Sequence, residues 1–526
     1  MKKEINLLTI IFFVSLAISL LIKILSVWGN NIPITYDQGR DLVDLRQMIV
    51  THTPRLVGPT TSINGVLLGP FYYYFLLLPF IIFGGNPMAL MFWQIIWFQI
   101  SVVLLWLVLR KKSRVLANVV GILLSLLPTG FYTARYFWNA NVMPIFTILF
   151  IAALIYLLEK RTLKRSFLVG FISGLSLQIE AAFGIIFFPF ALVYLLFKRF
   201  PIKKLLALFI GFLITLLPQV LFELRHGFIM TKILFDQVTG RGDMLGTKLS
   251  LSERLTERGK LLIDIVRNTS HIPMEVLNII YPSLIIFGII YILKKKKNIF
   301  SDTAITISLF LFVFSCVFYL IFPMQVKGWY ILSLTIPLVI FFAVIFEKIY
   351  IINSFGKLLV FLVILFTITN TLKAHYEYLR NNLQKPSNDP SSLINEIQAV
   401  DWVYQEANGE AFKTYSYLPA IYDYSFQYLF WWYGTKEYGY QPEEISYLPN
   451  QPIYIQNGEL AWTKKKTTKE GTPVFLIIQG DSEHSERFDL WMGNFSKLCQ
   501  VKEKVIIDSL KVSKLSSCSK QLSITK

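Results

Sequence analysis

The sequence predicts a mainly α-helical, polytopic membrane helix bundle of about eleven spans that ends in a small α/β domain. The first observation is composition: 54% of the 526 residues are hydrophobic and 16% are charged, as in chains with many spans. The second is that long apolar runs recur as far as residue 373 and then stop. The third is that basic clusters fall in the short connections between those runs.

Apolar runs of roughly 20 residues are long enough to cross a hydrocarbon core of about 30 Å. The first such run follows "MKKE" and has no cleavage signature of small residues, so we interpret it as an uncleaved span. The predicted spans are Leu7–Val27, Pro87–Leu109, Leu116–Tyr136, Val142–Leu158, Phe167–Ala182, Phe183–Phe197, Leu205–Phe222, Met274–Leu293, Ala304–Phe322, Trp329–Phe346 and Leu358–Thr371.

The basic clusters predict the orientation in the membrane. The net charge is +18, but the charge is dispersed over short loops such as "RKKSR" (Arg110–Arg114) and "KKKK" (Lys294–Lys297), which argues against nucleic-acid binding. The run "GVLLGPFYYYFLLLPFIIFGG" is predicted to be a juxtamembrane or re-entrant helix interrupted by Pro70 and Pro79, because a full crossing would invert every later basic loop. The N-terminus is therefore predicted to be cytoplasmic, with outer loops 28–86 and 223–273 and an exterior C-terminal domain.

The predicted domain limits are 1–373 for the membrane domain and 374–526 for the exterior domain. The polar stretch "KAHYEYLRNNLQKPSNDPSS" is predicted to be a linker. Beyond it, "LINEIQAVDWVYQEA" has helical spacing, and "PVFLIIQG" and "EKVIIDSL" are predicted to be buried strands. In an exterior domain Cys499 and Cys518 are predicted to form a disulfide.

The acidic stretch "YDQGRDLVDLRQMI" contains the first candidate catalytic residues. If it is helical, Asp37, Asp41 and Asp44 lie on one face at i, i+4 and i+7. Asp37 lies where the chain leaves the membrane, which suits a general base acting on an acceptor hydroxyl. The alternative is a solvated helix in which Arg40 pairs with Asp44, and Asp41 lies near Arg46 or the helix N-terminus.

Polar residues within apolar runs are the next candidates. "LQIEAAFG" places Gln178 and Glu180 between two predicted spans, and an intramembrane carboxylate indicates a functional site by default. The alternative for Glu180 is that it lies at the interface where two spans meet and is solvated there. "TARYFWNANVMP" places Arg135 and Asn139 at the outer end of a span, where a lone arginine is often an anchor that reaches toward the headgroups.

Basic residues also gather at other predicted outer helix ends, where the positive-inside rule predicts few. They are Arg225 and His226 of "FELRHGF" and Lys327 of "MQVKGWY". With Arg135 they could neutralise a phosphate at the outer face of the bilayer. No His and Cys cluster has metal-ligand spacing, so no cofactor is predicted from such a cluster. A divalent ion held by Asp37, Asp41 or Glu180 is the candidate metal site.

The order of these segments resembles polytopic glycosyltransferases of the GT-C fold, in the family 39-like group of protein O-mannosyltransferases and lipid A aminoarabinose transferases. The similarity covers roughly Leu7 to Thr371 and includes "YDQGRD", "GPTTSINGVLLGPFYYYFLLLPFIIFGGNP", "RYFWNANVMP", "GLSLQIEAAFG", "FELRHGF" and "WYILSLTIPLVIFF", which contains Tyr330. The family implies that the acidic residue after the first span is the catalytic base and that the donor is a sugar on a polyprenyl phosphate. Asp37 matches by position, but many members carry adjacent Asp-Glu where this chain has "YDQ", so Asp41 also stays a candidate.

The predicted function is an inverting hexosyl or pentosyl transferase that moves a sugar from a polyprenyl-phosphate carrier to a protein, lipid or glycan acceptor outside the plasma membrane. Arg135, Arg225, His226, Lys327, Gln178, Glu180, Asn139 and Tyr330 are the predicted donor-binding residues. The partners are the lipid-linked sugar, the bilayer and an acceptor whose identity the sequence leaves open. The alternatives are a transporter or flippase that uses the same polar groups without chemistry, and a polymerase or ligase of lipid-linked glycans.

Overall fold

A computed structural model describes residues 7–239, 248–280, 282–283, 286, 303–383, 387–450, 472–480 and 484–518. Helices form most of this part of the chain, so the predicted mainly α-helical architecture is confirmed. They are α1 (Leu7–Ser26), α2 (Tyr36–Val50), α3 (Phe71–Ile82), α4 (Pro87–Leu109), α5 (Arg114–Ser125), α6 (Pro128–Tyr132), α7 (Asn139–Glu159), α8 (Leu163–Ile179), α9 (Ala181–Gly184), α10 (Phe187–Phe197), α11 (Ile202–Arg225), α12 (Ile229–Thr239), α13 (Leu251–Arg267), α14 (Thr303–Ile321), α15 (Gly328–Ile331), α16 (Thr335–Tyr350), α17 (Ser354–Leu383), α18 (Leu393–Ala407), α19 (Tyr424–Leu429), α20 (Thr435–Tyr438) and α21 (Ser485–Gly493).

Seven helical stretches in the described residues are long and apolar enough to cross a membrane, which confirms a polytopic membrane protein. They are Leu7–Asn30, Pro87–Leu109, Asn139–Glu159, Ile202–Arg225, Thr303–Ile321, Gly328–Tyr350 and Ser354–Asn381, and the shorter apolar helices are Phe71–Ile82, Arg114–Ser125 and Ala181–Phe197. The number of about eleven spans stays a prediction. Half of the predicted span Met274–Leu293 and the whole cluster "KKKK" lie outside the described residues.

One predicted span is divided in the structure. The run Leu116–Tyr136 was expected to be continuous, but α5 ends at Ser125 and α6 begins at Pro128. Proline has no backbone N–H to donate to the preceding turn, and it disfavours helical geometry at the residue before it. Leu127 accordingly has an extended backbone with ψ of 125°. The prediction of one continuous helix was therefore wrong.

The aromatic run before the second long helix forms α3, which has 12 residues. At 1.5 Å per residue it is about 18 Å long, shorter than a hydrocarbon core of about 30 Å. Pro70 directly precedes the helix, where a missing N–H costs no intrahelical bond. Pro79 lies inside the helix and does not interrupt it, contrary to the prediction.

The described chain divides into two compact units, and the first holds most of the apolar helices. It comprises Met1–Leu25, Arg55–Phe75 and Met91–Leu379. Its centre is α7, which is buried along most of its length. Helices α8 and α11 approach each other closely at two glycines, which have no side chain in the way. A methyl group at Gly170 would overlap the carbonyl of Leu208, and one at Gly174 would overlap the side chain of Thr215.

The second unit comprises Ser26–Pro54, Leu76–Leu90 and Arg380–Lys526. It therefore groups α2 and the end of α3 with the C-terminal residues. The backbone N–H of Ile34 donates to the carbonyl of Ser391 at 2.7 Å, and that of Leu393 donates to Ile32 at 2.8 Å, which fixes the segment before α2. The predicted domain limits of 1–373 and 374–526 stay a prediction.

The C-terminal residues form the predicted small α/β domain. Its sheet contains β1 (Lys413–Tyr417), β2 (Glu444–Ser446), β3 (Val474–Gln479), β4 (Leu498–Ile507) and β5 (Leu510–Ser517). The strand order is β2-β1-β3-β5-β4, with β2, β1 and β3 parallel and β5 and β4 antiparallel to their neighbours. Helix α18 has the predicted limits, and Cys499 and Cys518 form the predicted disulfide with their Cα atoms 5.0 Å apart.

Two predictions for this region need correction. The predicted linker is helical as far as Leu383, because the first proline of that stretch is residue 386 and nothing before it breaks the helix. Strand β4 was predicted to be buried, but most of it is exposed because it lies at the edge of the sheet. Val501 and Val505 are 51% and 46% exposed.

Candidate functional site

The acidic stretch forms helix α2, as predicted. Thr35 precedes it with an extended backbone, and its N–H donates to Oε1 of Gln38 at 3.2 Å, which satisfies one donor at the start of the helix. The first turn contains Asp37, where a negative charge interacts favourably with the positive end of the helix dipole.

Arg40 joins two of the three aspartates. Its Nη1 atom is 3.0 Å from Oδ1 of Asp37. Its Nε and Nη2 atoms are 3.0 Å and 2.8 Å from Oδ1 of Asp41. One guanidinium therefore holds both carboxylates in fixed positions, a role that the sequence analysis did not assign to Arg40.

Exposure separates the two carboxylates that the sequence left as alternatives. The side chain of Asp37 is 36% exposed, whereas that of Asp41 is completely buried. Burial raises the pKa of Asp41 to about 7, and the charge of Arg40 opposes this shift. The alternative of a solvated helix is therefore wrong for Asp41. Of these two carboxylates, Asp37 combines contact with Arg40 and a partly exposed side chain.

Residues of the C-terminal domain complete the surroundings of α2. A methyl group at Gly39 would lie 2.7 Å from the backbone nitrogen of Ser425, so the start of α19 approaches α2 at this glycine. The ring of Tyr36 lies 5.3 Å from that of Tyr422 and 5.6 Å from that of Tyr424. The sequence analysis missed both tyrosines because almost 400 residues separate them from α2, and no local pattern links the two segments.

The first unit contains a separate polar group around Glu180. Helix α8 ends at Ile179 and α9 begins at Ala181, so Glu180 lies at the break between them. One of its carboxylate oxygens accepts a hydrogen bond from the N–H of Ala182 at 3.2 Å, and the other accepts one from Nδ2 of Asn139 at 3.0 Å. Glu180 is 8% exposed, so the alternative of a solvated carboxylate is wrong.

Tyrosines extend this group. The hydroxyl of Tyr319 donates to the carbonyl of Ala182 at 2.8 Å and also lies 3.1 Å from the carbonyl of Tyr330. The hydroxyl of Tyr330 lies 2.8 Å from Oγ of Ser62. Glu180, Asn139 and Tyr330 were predicted, whereas Tyr319 was missed because it lies in an ordinary apolar run.

Gln178 connects three segments of the first unit. Its Oε1 atom accepts a hydrogen bond from the N–H of Phe71 at 3.1 Å, and its Nε2 atom donates to the carbonyl of Thr215. A methyl group at Gly69 would overlap the Gln178 side chain. Gln178 thus ties the start of α3 to α8 and α11.

The predicted phosphate-binding residues have different surroundings. The guanidinium of Arg135 lies 3.7 Å from the ring centre of Tyr378, and its buried Nε atom has no hydrogen-bond partner among the described residues. His226 stacks on Phe222 at the exposed end of α11, next to Arg225. Lys327 is exposed and lies 5.1 Å from the ring centre of Trp329. The role of these residues in phosphate binding stays a prediction.

The candidate metal site has little to support it. Among the residues that the structure describes, no three His, Cys, Asp or Glu side chains are arranged to hold a metal ion. Asp37 and Asp41 already share the guanidinium of Arg40, and a divalent ion would have to displace that cation. A metal dependence therefore stays a prediction.

The apolar helices, the acidic helix after the first of them and the C-terminal α/β domain define a polytopic membrane protein with the GT-C fold. The sequence model of the family described as dolichyl-phosphate-mannose-protein mannosyltransferase matches residues 68–222. The structure is similar to ArnT from Cupriavidus metallidurans in the apo state, with a TM-score of 0.59, 12% identity, and coverage of 95% of this chain and 97% of that chain.

The structure is also similar to ArnT from the same organism bound to undecaprenyl phosphate, with a TM-score of 0.57 and 11% identity. That similarity again covers 95% of this chain and 97% of the other. No curated protein matches the chain in sequence. The structural likeness over almost the whole chain shows the fold, and the family match over residues 68–222 agrees with the resemblance that the sequence analysis describes.

Proposed function

We propose that this protein is an inverting glycosyltransferase that moves a sugar from a polyprenyl-phosphate carrier to a hydroxyl acceptor at the exterior face of the membrane. The observation that carries the proposal is Asp37, an accessible carboxylate held by Arg40 on the helix that follows the first apolar segment. The family match over residues 68–222 and the likeness to an ArnT structure bound to undecaprenyl phosphate support the class of donor.

In the proposed reaction Asp37 accepts the proton of the acceptor hydroxyl as that oxygen attacks the anomeric carbon. The bond between the acceptor oxygen and the anomeric carbon forms while the bond from that carbon to the phosphate oxygen breaks. Attack from the face opposite the phosphate inverts the anomeric configuration. The polyprenyl phosphate leaves with the bonding electrons, so its developing negative charge needs basic neighbours.

Asp41 has a supporting role in this proposal. It is buried and has no access to an acceptor, but its carboxylate binds the same guanidinium that holds Asp37. Its position therefore fixes Arg40, and Arg40 fixes the base. Such fixed geometry contributes to catalysis because the reacting groups need no reorganisation.

On the donor side, we assign the sugar to the polar group formed by Glu180, Asn139 and Tyr330, whose side chains offer hydrogen-bond acceptors and donors within an apolar helix bundle. Both amide atoms of Gln178 are used inside the protein, so we give it the role of positioning α3. Arg135 is the strongest phosphate candidate, because its buried Nε atom has no hydrogen-bond partner among the described residues. Arg225, His226 and Lys327 remain further candidates at exposed positions.

The test is to incubate the purified full-length protein in lipid nanodiscs with undecaprenyl phosphate that carries a radiolabelled sugar, together with saccharides and a serine- and threonine-containing peptide that offer acceptor hydroxyls. The expected result is release of free undecaprenyl phosphate that depends on Asp37. A transporter or flippase would move the intact lipid and release none. Absence of release by the wild-type protein across a panel of hexosyl and pentosyl donors would contradict the proposal.

We also propose that the N-terminus is cytoplasmic and that the C-terminal domain is exterior, supported by the basic loops on one side of the predicted spans. Cysteine labelling with a membrane-impermeant reagent tests this orientation. A thiol introduced at Ser387 should react in intact cells, and one introduced at Ser113 should react only after lysis. The reverse pattern would contradict the placement of Asp37 outside the cytoplasm.

A further inference from the structure

Three tyrosine rings, which we call the tyrosine cluster, meet beside the proposed base: Tyr36, Tyr422 and Tyr424. Tyr36 directly precedes Asp37 on α2, and its ring centre lies 5.3 Å and 5.6 Å from the other two. Tyr422 and Tyr424 stack with ring centres 5.5 Å apart and an interplanar angle of 2°. Tyr422 is 40% exposed and Asp37 is 36% exposed, so Tyr36 contacts an exposed ring of the C-terminal domain and is followed in sequence by an exposed carboxylate.

The segment that carries Tyr422 has a fixed conformation. Ile421 has a φ of 67°, a strained value for a β-branched residue. The N–H groups of Ile421 and Tyr422 donate to the carbonyls of Leu418 and Ala420 at 3.0 Å and 2.8 Å. Between the two exterior tyrosines, Asp423 is buried and accepts a hydrogen bond from Gln427 at 2.7 Å. Hydrogen bonds therefore hold the backbone at Tyr422 and the side chain of the residue that follows it.

The chemistry of the tyrosine cluster matches a sugar ring. The apolar C–H face of a pyranose packs against aromatic faces, whose negative potential attracts polarised C–H groups, while carboxylates and tyrosine hydroxyls bond the ring's hydroxyls. Tyrosine also loses little conformational entropy on binding because it has few rotatable bonds. One ring face has a charged neighbour, since the guanidinium of Arg40 lies 5.6 Å from the ring centre of Tyr36.

We propose that the tyrosine cluster is the acceptor subsite and that the acceptor is a saccharide, whose ring packs on Tyr422 and Tyr424 with a hydroxyl directed at Asp37. This inference rests on the proposed glycosyltransferase function and extends it by naming the acceptor class. It also gives the C-terminal domain a role in substrate binding. A peptide with a serine or threonine hydroxyl has no ring face to pack there, so it fits the cluster less well.

The experiment compares wild-type protein in nanodiscs with Tyr422→Ala, Tyr422→Phe and the control Tyr376→Ala, which removes an exposed tyrosine from α17. The probes are chitobiose, cellobiose, mannobiose and a serine- and threonine-containing hexapeptide, and binding is followed by saturation-transfer NMR. We expect at least one disaccharide to bind the wild type and to bind Tyr422→Ala at least about fivefold more weakly. Tyr422→Phe keeps the ring and should retain most of the affinity, and Tyr376→Ala should bind as the wild type does.

Tyr422→Ala also loses the ring contacts with Tyr36 and Tyr424, so the melting temperature of each variant is measured and binding is compared at a temperature at which all variants are folded. The inference is overturned if no disaccharide binds, if Tyr422→Ala binds as well as the wild type, or if only the peptide depends on Tyr422. Release of undecaprenyl phosphate from the labelled donor is measured in the same preparations. If the wild type releases undecaprenyl phosphate and one of these outcomes is found, only the acceptor inference is overturned. If the wild type releases none, the proposed function is overturned.

Discussion

Replacing Asp37 with Asn tests the proposed base most directly. The substitution keeps the size of the side chain and removes its basicity. Loss of a general base typically slows a reaction by about 10²- to 10⁴-fold, which corresponds to about 2.7 to 5.4 kcal/mol in activation free energy. The free energy of unfolding should change far less. The side chain of Asp37 is 36% exposed, and the ion pairs of exposed groups contribute about 0 to 1 kcal/mol to stability.

The expected loss of rate is much larger than the expected loss of stability, so the assay can distinguish loss of the base from unfolding. Arg40 keeps its contact with Asp41 in the variant, so α2 should retain its structure. We therefore expect Asp37→Asn to bind the lipid donor and unfold near the wild-type temperature while its transfer rate falls by at least about a hundredfold. The assay is the initial rate at which the radiolabelled sugar is lost from its undecaprenyl-phosphate donor, with donor binding and thermal unfolding measured on the same preparation.

The matched control is Asp44→Asn, which removes a carboxylate from the same helix two turns later. It should lower the rate by no more than about fivefold, the equivalent of about 1 kcal/mol. Near-normal transfer by Asp37→Asn would refute the assignment of the base. An equal, large loss in both variants would point instead to a divalent ion or to an acidic cluster that acts as a unit.

Three further predictions concern the second unit. Gly39→Ala should lower the free energy of unfolding by about 1 to 3 kcal/mol, because the new methyl group would lie 2.7 Å from the nitrogen of Ser425. An unchanged midpoint of urea unfolding would contradict this close approach. Cys499→Ser and reduction of the wild type should each lower the melting temperature, since closing a loop of this length stabilises the protein by about 3 kcal/mol. Full thiol labelling of Cys499 and Cys518 without reductant would contradict the disulfide. Burial raises the pKa of Asp423 to about 7, so the folded state holds a proton that the unfolded state loses near its usual value of 3.8. Stability should therefore fall as the pH rises from about 4 to about 7 and level off above that. Asp423→Asn should flatten this pH dependence in urea titrations, and an unchanged slope would contradict it.

Local patterns account for the parts of the site that could be predicted. Helix α2 follows from its polar and apolar spacing and from Gln38, which bonds back to the residue before the helix. Helix α18 has the limits expected from its periodicity. In both cases the determining interactions join residues within one or two helical turns, which is the range that sequence spacing reports.

The remaining features depend on contacts between distant segments. The burial of Asp41 could not be predicted, because three acidic residues in one helix indicate exposure unless the packing partner is known. The tyrosine cluster joins α2 to residues near 423, and no local spacing encodes that pairing. Strand β4 has an apolar run typical of a buried strand, but its position at the sheet edge is set by the order of all five strands.

The grouping of residues 26–54 with residues 380–526 limits how this protein can be recombined with related ones. A chimera that joins the helical part of one protein to the C-terminal part of another at residue 380 would take contacting residues from different parents. Gly39 and Tyr36 would come from one parent, and their contacts Ser425 and Tyr422 from the other. A functional exchange must carry α2 and residues 76–90 together with the C-terminal part, so the transplanted module is assembled from three pieces of sequence. If the C-terminal domain binds the acceptor as proposed, a change of acceptor preference acquired through it would for the same reason require matching changes in α2.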